Sequence, residues 1–149
     1  MTNKKLNIIF LILVTVSFFL VFTSFLAWNK QGEIDLASPK KEIESKYWID
    51  ECRFENDQVF VSGWGFLKDR PYVRHEVYVI DSEGRYYKLN TRRNKRKDVV
   101  DFLGLGDEYI NIGFLSGLRS MSGDFINKTV VVSIVSPYGE EERFEYNCR

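Results

Sequence analysis

The sequence predicts an all-β fold, an immunoglobulin-like antiparallel β-sandwich with a short helical turn, preceded by one N-terminal transmembrane helix. Three observations carry this expectation: an uncharged apolar block near the N-terminus, short strand-like segments separated by turn residues at near-regular spacing, and one long connection among them. The 149 residues are 44% hydrophobic, 15% aromatic and 28% charged, an ordinary globular mixture that excludes disordered, collagen-like and disulfide-dense scaffolds. After the apolar block roughly 120 mostly polar residues remain, room for one small domain and too few for a two-domain enzyme. Lys plus Arg and Asp plus Glu both number 21; without Lys4 and Lys5 the balance is 19 against 21, which argues against a nucleic-acid-binding domain.

Ile8 to Trp28 contains no charged side chain. At about 1.5 Å per residue this run rises roughly 31 Å, the thickness of a bilayer core. A cleaved signal peptide would normally have a shorter apolar core and small residues before the cut, whereas a cut after Ala27 would put Phe25 at the minus-three position. The segment is therefore read as a signal anchor that partners the lipid bilayer through residues 8–28. Lys4 and Lys5 place residues 1–7 in the cytoplasm, and Trp28 sits at the far interface. This predicts a single-pass protein of the inner membrane with its C-terminal domain outside the cytoplasm. Residues 29–46, polar and without sustained apolar periodicity, read as a stalk, with a short helix at Lys40 to Ser45. Residues 47–149 form the extracytoplasmic domain.

Within that domain, strands are expected at Tyr47 to Phe54, Val59 to Leu67 and Val73 to Ile80, separated by turns at Asn56-Asp57 and Lys68 to Pro71. Ser82-Glu83-Gly84 turns the chain into a strand at Arg85 to Asn90. Val99, Val100, Phe102 and Leu103 predict a helical turn over Asp98 to Leu103, with Asp98 capping its start. Asp107 to Ile126 reads as a long connection crossing between sheets. Thr129 to Ser136 and Glu142 to Cys148, joined by Pro137-Tyr138-Gly139, make a closing hairpin.

The only cysteines, Cys52 and Cys148, stand at the two ends of this domain. Strand alternation puts Trp48, Cys52 and Phe54 on one face and Phe144, Tyr146 and Cys148 on another, so both thiols point inward. A bond between them would close a loop of roughly 96 residues and add up to about 4.7 kcal/mol through chain entropy. Such bonds persist outside the cytosol.

No catalytic constellation is legible. His75 is the only histidine and lacks partners for a transition-metal site, and Ser62 is followed by continuing strand where a nucleophile elbow requires a helix. No metal or other cofactor is expected. The sequon Asn127-Lys128-Thr129 matters only where a glycosylation apparatus exists. Two features stand out. Gly63 and Gly65 flank Trp64 within a strand, implying close backbone approach, while Phe60, Trp64 and Phe66 share a face that is expected to fill the core. Arg92, Arg93, Lys95, Arg96 and Lys97 place five cations in six residues and form the candidate anion- or glycan-binding loop. The aromatic interleaving of a nucleic-acid site is absent.

Val61-Ser62-Gly63-Trp64-Gly65-Phe66, Arg96-Lys97-Asp98-Val99 and Ile112-Gly113-Phe114 together resemble a small β-sandwich module of bacterial surface-polysaccharide proteins, which shows Gly-Trp-Ala-Phe, Arg-x-Asp-Val and Gly-Phe and often accompanies glycosyltransferases. Gly65 stands where the module has alanine, and these 149 residues hold no transferase domain. The resemblance spans Trp48 to Asn147 and implies a polysaccharide context with no catalytic residue. The function expected is a noncatalytic, membrane-anchored domain that binds an acidic surface glycan or the machinery that assembles it. The alternative is a protein-interaction module binding an envelope protein, such as an immunity or exclusion factor.

Overall fold

The computed structural model describes residues 3–28, 33–34, 44–55, 58–119, 125 and 128–148. The chain divides into two compact units, Met1–Lys30 and Gln31–Arg149. The first is helix α1 (Asn3–Trp28), in which Asn7–Ala27 has a mean hydropathy of 2.7 and buries no side chain within the protein. A helix apolar all round suits an apolar medium, so by length and composition this is a candidate membrane span, as an anchor or a signal sequence would be. Its two threonine hydroxyls are satisfied internally: Thr15 donates to the Leu11 carbonyl at 2.9 Å and Thr23 to that of Phe19 at 3.0 Å.

The second unit holds two antiparallel sheets. In chain order its elements are β1 (Glu33–Ile34), β2 (Ser45–Glu55), β3 (Gln58–Leu67), β4 (Arg74–Ile80), β5 (Tyr86–Lys88), β6 (Asn90–Asn94), α2 (Lys97–Leu103), a 3-10 turn (Asp107–Tyr109), β7 (Gly113–Arg119), β8 (Thr129–Val135) and β9 (Glu141–Asn147). One sheet has the order β1-β5-β4-β8-β9, the other β2-β3-β7-β6. Set aside the two-residue β1, and the eight remaining strands follow the immunoglobulin arrangement. The first, second, sixth and fifth form one sheet, and the fourth, third, seventh and eighth form the other.

Inward residues from both sheets make the main core: Val59, Val61 and Leu67 of β3, Val77 and Val79 of β4, Phe114 and Leu118 of β7, and Val130, Val132 and Ile134 of β8. Gly63 and Gly65 belong to this inward row. A Cβ on Gly63 would run into the Trp48 carbonyl oxygen, and one on Gly65 into Ile134 Cδ1 of the opposite sheet at 2.6 Å. The close approach implied by the two glycines is thus real. A second, smaller cluster lies under α2, where Val99 and Val100 pack with Phe66 and Ile112, flanked by Trp64, Leu103 and Tyr109.

Cys52 and Cys148 form a disulfide with their Cα atoms 5.3 Å apart and a sequence separation of 96. It joins β2, at the edge of one sheet, to the end of β9, at the edge of the other, so the first and last long strands are linked across the sandwich. Farther along the same two strands Tyr47 and Phe144 stack with ring centroids 3.4 Å apart.

Several expectations are corrected. Ser45 and Lys46, assigned to the stalk, are already paired with Leu67 and Phe66, and Glu33–Ile34 pairs with β5. The rest of the stalk with most of its short helix, the Asn56-Asp57 turn and Asn127 of the sequon lie outside the described residues. The strand expected at Arg85 to Asn90 is two strands. At buried Leu89, whose N–H donates to the Val77 carbonyl at 2.8 Å, the chain leaves one sheet and joins the other. The long connection contains β7, an interior strand whose Phe114, Ser116 and Leu118 point inward. Between Ile49 and Glu51 the register slips, with Asp50 the extra residue, so Trp48 points outward while Ile49, Cys52 and Phe54 face the core. Phe60, Trp64 and Phe66 share a face, but the outer one. Asp98 does not cap α2: Arg96 occupies the cap position without a side-chain cap, and the Asp98 carboxylate instead receives Arg96.

Candidate functional site

The outer face of the four-stranded sheet is built by the bulge and by β-strand alternation. Trp48 and Trp64 are register partners on β2 and β3, and Gly113 lies across from Trp64 on β7. In the next outward rows, Ser62 pairs with Leu115 and Leu115 with Arg92, while Phe60 pairs with Gly117. Trp48 is 62% exposed and Leu115 is exposed, while Trp64 is half-buried because α2 and its satellite cluster lie against it. The Arg53 guanidinium stands 5.5 Å from the centre of the Phe60 ring and is held by Glu51 at 2.7 Å. The face therefore offers aromatic and apolar surface next to cationic groups.

The five cations do not form one loop. Arg92 and Arg93 lie within β6, paired with Leu115 and Phe114, and so project to opposite sides of the sheet. Arg92 joins the outer face. Arg93, on the inward side of an edge strand, reaches a cleft of about 380 Å³ lined also by Tyr72, Val73, Arg74, Val135 and Pro137. Lys95 is exposed in the link to α2, and Lys97 opens that helix, also exposed. Arg96 is consumed structurally: its guanidinium bridges Asp98 at 2.8 Å and Asp50, the bulge residue. Those two carboxylates hold the Arg96 charge, and Arg96 in turn keeps the Asp98 carboxyl below its ordinary range. Among the described residues, the side chains of Arg92, Arg93, Lys95 and Lys97 have neither ion pair nor hydrogen bond.

His75 lies behind Arg93, buried between the sheets. Its Nε2 is 2.8 Å from the Gly65 carbonyl oxygen and its ring centre 5.0 Å from that of Phe114, while Nδ1 has no partner. Burial pushes its pKa down to about 4, against the Gly65 carbonyl and with the help of the Arg93 charge, so the ring is neutral at pH 7. Among the described residues no group of three His, Cys, Asp or Glu side chains comes together to hold a metal ion.

The rim of the cleft is fixed by Arg70, which makes a two-pronged pair with Glu140 at 2.6 and 3.1 Å. Glu140 also receives Ser136 Oγ at 3.2 Å, tying down the turn that carries Tyr138. Trp48, Tyr72 and Tyr138 were not singled out from the sequence. The one available signal was Tyr138, a large aromatic at a Pro-Tyr-Gly turn tip where nothing could bury it. Compared with protein-family models and with curated proteins, the chain matches none.

Proposed function

We propose that this chain is a noncatalytic, membrane-anchored domain held outside the cytoplasm by its N-terminal helix, single-pass in the inner membrane, where it binds an acidic surface glycan or the machinery that assembles it. The observation that carries this reading is the outer face of the four-stranded sheet, where the exposed indole of Trp48 on β2 stands one outward row from Leu115 and Arg92, which lie two and three strands across the same face. An indole face covers the apolar face of a pyranose, and an unpaired guanidinium matches a sugar-borne anion. The disulfide supports the oxidising side of the membrane, and Lys4 and Lys5 support an inside N-terminus.

The test is direct. Full-length protein in detergent micelles should bind acidic envelope polysaccharide, and Trp48→Ala with Arg92→Ser should abolish that binding while leaving the melting curve in place. An alkaline phosphatase fusion after Arg149 should be active. An inactive fusion, or a double variant that binds like the parent, would overturn the reading. One observation favours the alternative of an envelope-protein interaction: β6 is the last strand of its sheet and could accept a partner strand. Binding to an envelope protein that is lost on Thr91→Pro, but not on Trp48→Ala, would select it.

A further inference from the structure

We infer that the cleft between β6 and the β8–β9 turn is a binding site for a carboxylate-bearing pyranose, a sugar acid whose carboxylate pairs with Arg93 while its ring lies against Tyr72, with Tyr138 at the adjoining turn tip. The ligand class rests on the glycan reading above, but the site is a different one. Its volume of about 380 Å³ lies within the range of small-ligand sites. Among the described residues that line it, the charged side chains are Arg74 and Arg93, so it is electropositive. Arg74 is engaged by Glu76 at 3.1 Å, whereas among the described residues Arg93 has no carboxylate or hydrogen-bond partner. The nearest acid on the turn, Glu140, is buried and already neutralised by Arg70.

The remaining chemistry is that of a sugar. Val73, Val135 and Pro137 give apolar walls. Tyr72, which lines the cleft, is 67% exposed, and Tyr138, at the turn tip between the lining residues Pro137 and Gly139, is 80% exposed. Tyr138 is held from behind by the Arg70 guanidinium, 5.5 Å from its ring centre, so its position is set before any ligand arrives. An arginine presents a planar fork that a carboxylate fills with two parallel bonds, and flanking aromatic rings suit the flat C–H face of a pyranose. Such an arrangement selects a sugar that carries the anion on its own ring.

Calorimetric titration of the full chain in micelles with oligogalacturonate, its carboxyl-reduced neutral counterpart and a phosphorylated oligosaccharide of equal length tests this. Oligogalacturonate should bind best, and its affinity should fall with salt. Arg93→Gln should weaken it by about tenfold or more, and Tyr72→Ala by a smaller factor, both with unchanged melting. The carboxyl-reduced oligomer should bind about tenfold more weakly and be indifferent to Arg93→Gln. Two results overturn the inference: equal affinity in Arg93→Gln and parent, or preference for the phosphorylated oligomer. If oligogalacturonate binding resists Arg93→Gln but is lost in Trp48→Ala, the cleft fails and the glycan reading stands. If the parent binds no oligosaccharide, both fail.

Discussion

On the outer face of the five-stranded sheet, Glu76 accepts the Tyr78 hydroxyl at 2.6 Å and pairs with Lys88 at 2.8 Å and Arg74 at 3.1 Å. Alongside, Glu141 takes Arg143 at 2.6 Å and the Ser133 hydroxyl. Burial pushes the Glu76 carboxyl up, but hydrogen bonds from Lys88 and Tyr78 and the charges of Lys88 and Arg74 outweigh it and hold it below its ordinary value. The outer face of the four-stranded sheet is finished differently. Its bulge turns Trp48 into water, and its strand β6 leaves Arg92 without an acid. One face has paired Glu76 and Glu141 within itself, and the other has left an aromatic and a cation to be satisfied by something else. Substitutions on the first should therefore register in stability, and substitutions on the second in binding.

Four measurements would break or sharpen that division. The largest effect is expected at Trp64, which belongs to the outer face but is half covered by α2. Trp64→Ala should cost about 2 to 3 kcal/mol in denaturant unfolding, below the 3 to 5 kcal/mol of a fully buried aromatic. A loss below about 1 kcal/mol would mean that α2 is not held by this ring. Next comes acid. His75 is neutral when folded and takes up a proton once unfolded below pH 6.5, so stability should fall as pH drops from 6.5 towards 4, by about 2 kcal/mol at pH 5. His75→Phe should flatten this region of the pH–stability curve. If it does not, the acid loss resides on a face and not between the sheets.

Glu76→Gln comes third, at about 1 to 2 kcal/mol at pH 7, because it leaves Lys88 and Arg74 unpaired on a partly buried surface. The contribution of Glu76 is present above the ordinary carboxyl value of 4.5 and is lost as pH falls through its lowered folded value, which separates it from the His75 window. Smallest is Trp48→Ala, within about 0.5 kcal/mol of the parent in stability while polysaccharide binding at the outer face is lost. A large destabilisation there would erase the distinction between the two faces.

Most of the strands were legible because their apolar residues alternate or run between turn residues, and the disulfide was legible because parity around Cys52 and Cys148 survives in the fold. What escaped reading has local causes. In β7 the outward positions Gly113 and Gly117 are glycine and the inward Ser116 is polar, its hydroxyl donating to Thr91 at 3.0 Å, so the strand resembles a connection. The Asp50 bulge inverts parity for residues before it, and a one-residue insertion leaves no compositional trace. In β3 the inward row contains the two glycines, and the large aromatics are on the other side. A reading that equates aromatic with core picks the wrong face. The basic run was visible as composition, but its division among an outer face, a cleft and a structural bridge depends on β6 pairing with β7.

The disulfide also determines how the domain would carry a mechanical load. A pull applied through the residues before Ser45 and after Cys148 enters β2 and reaches Cys52 after seven residues, then crosses directly to Cys148. The 95 residues between the two cysteines lie outside that path, and neither sheet is asked to shear. Only the first half of β2, from Ser45 to the bulge, can be peeled. The Tyr47 to Phe144 stack is then the contact that resists, and the main core and the cleft stay slack under tension.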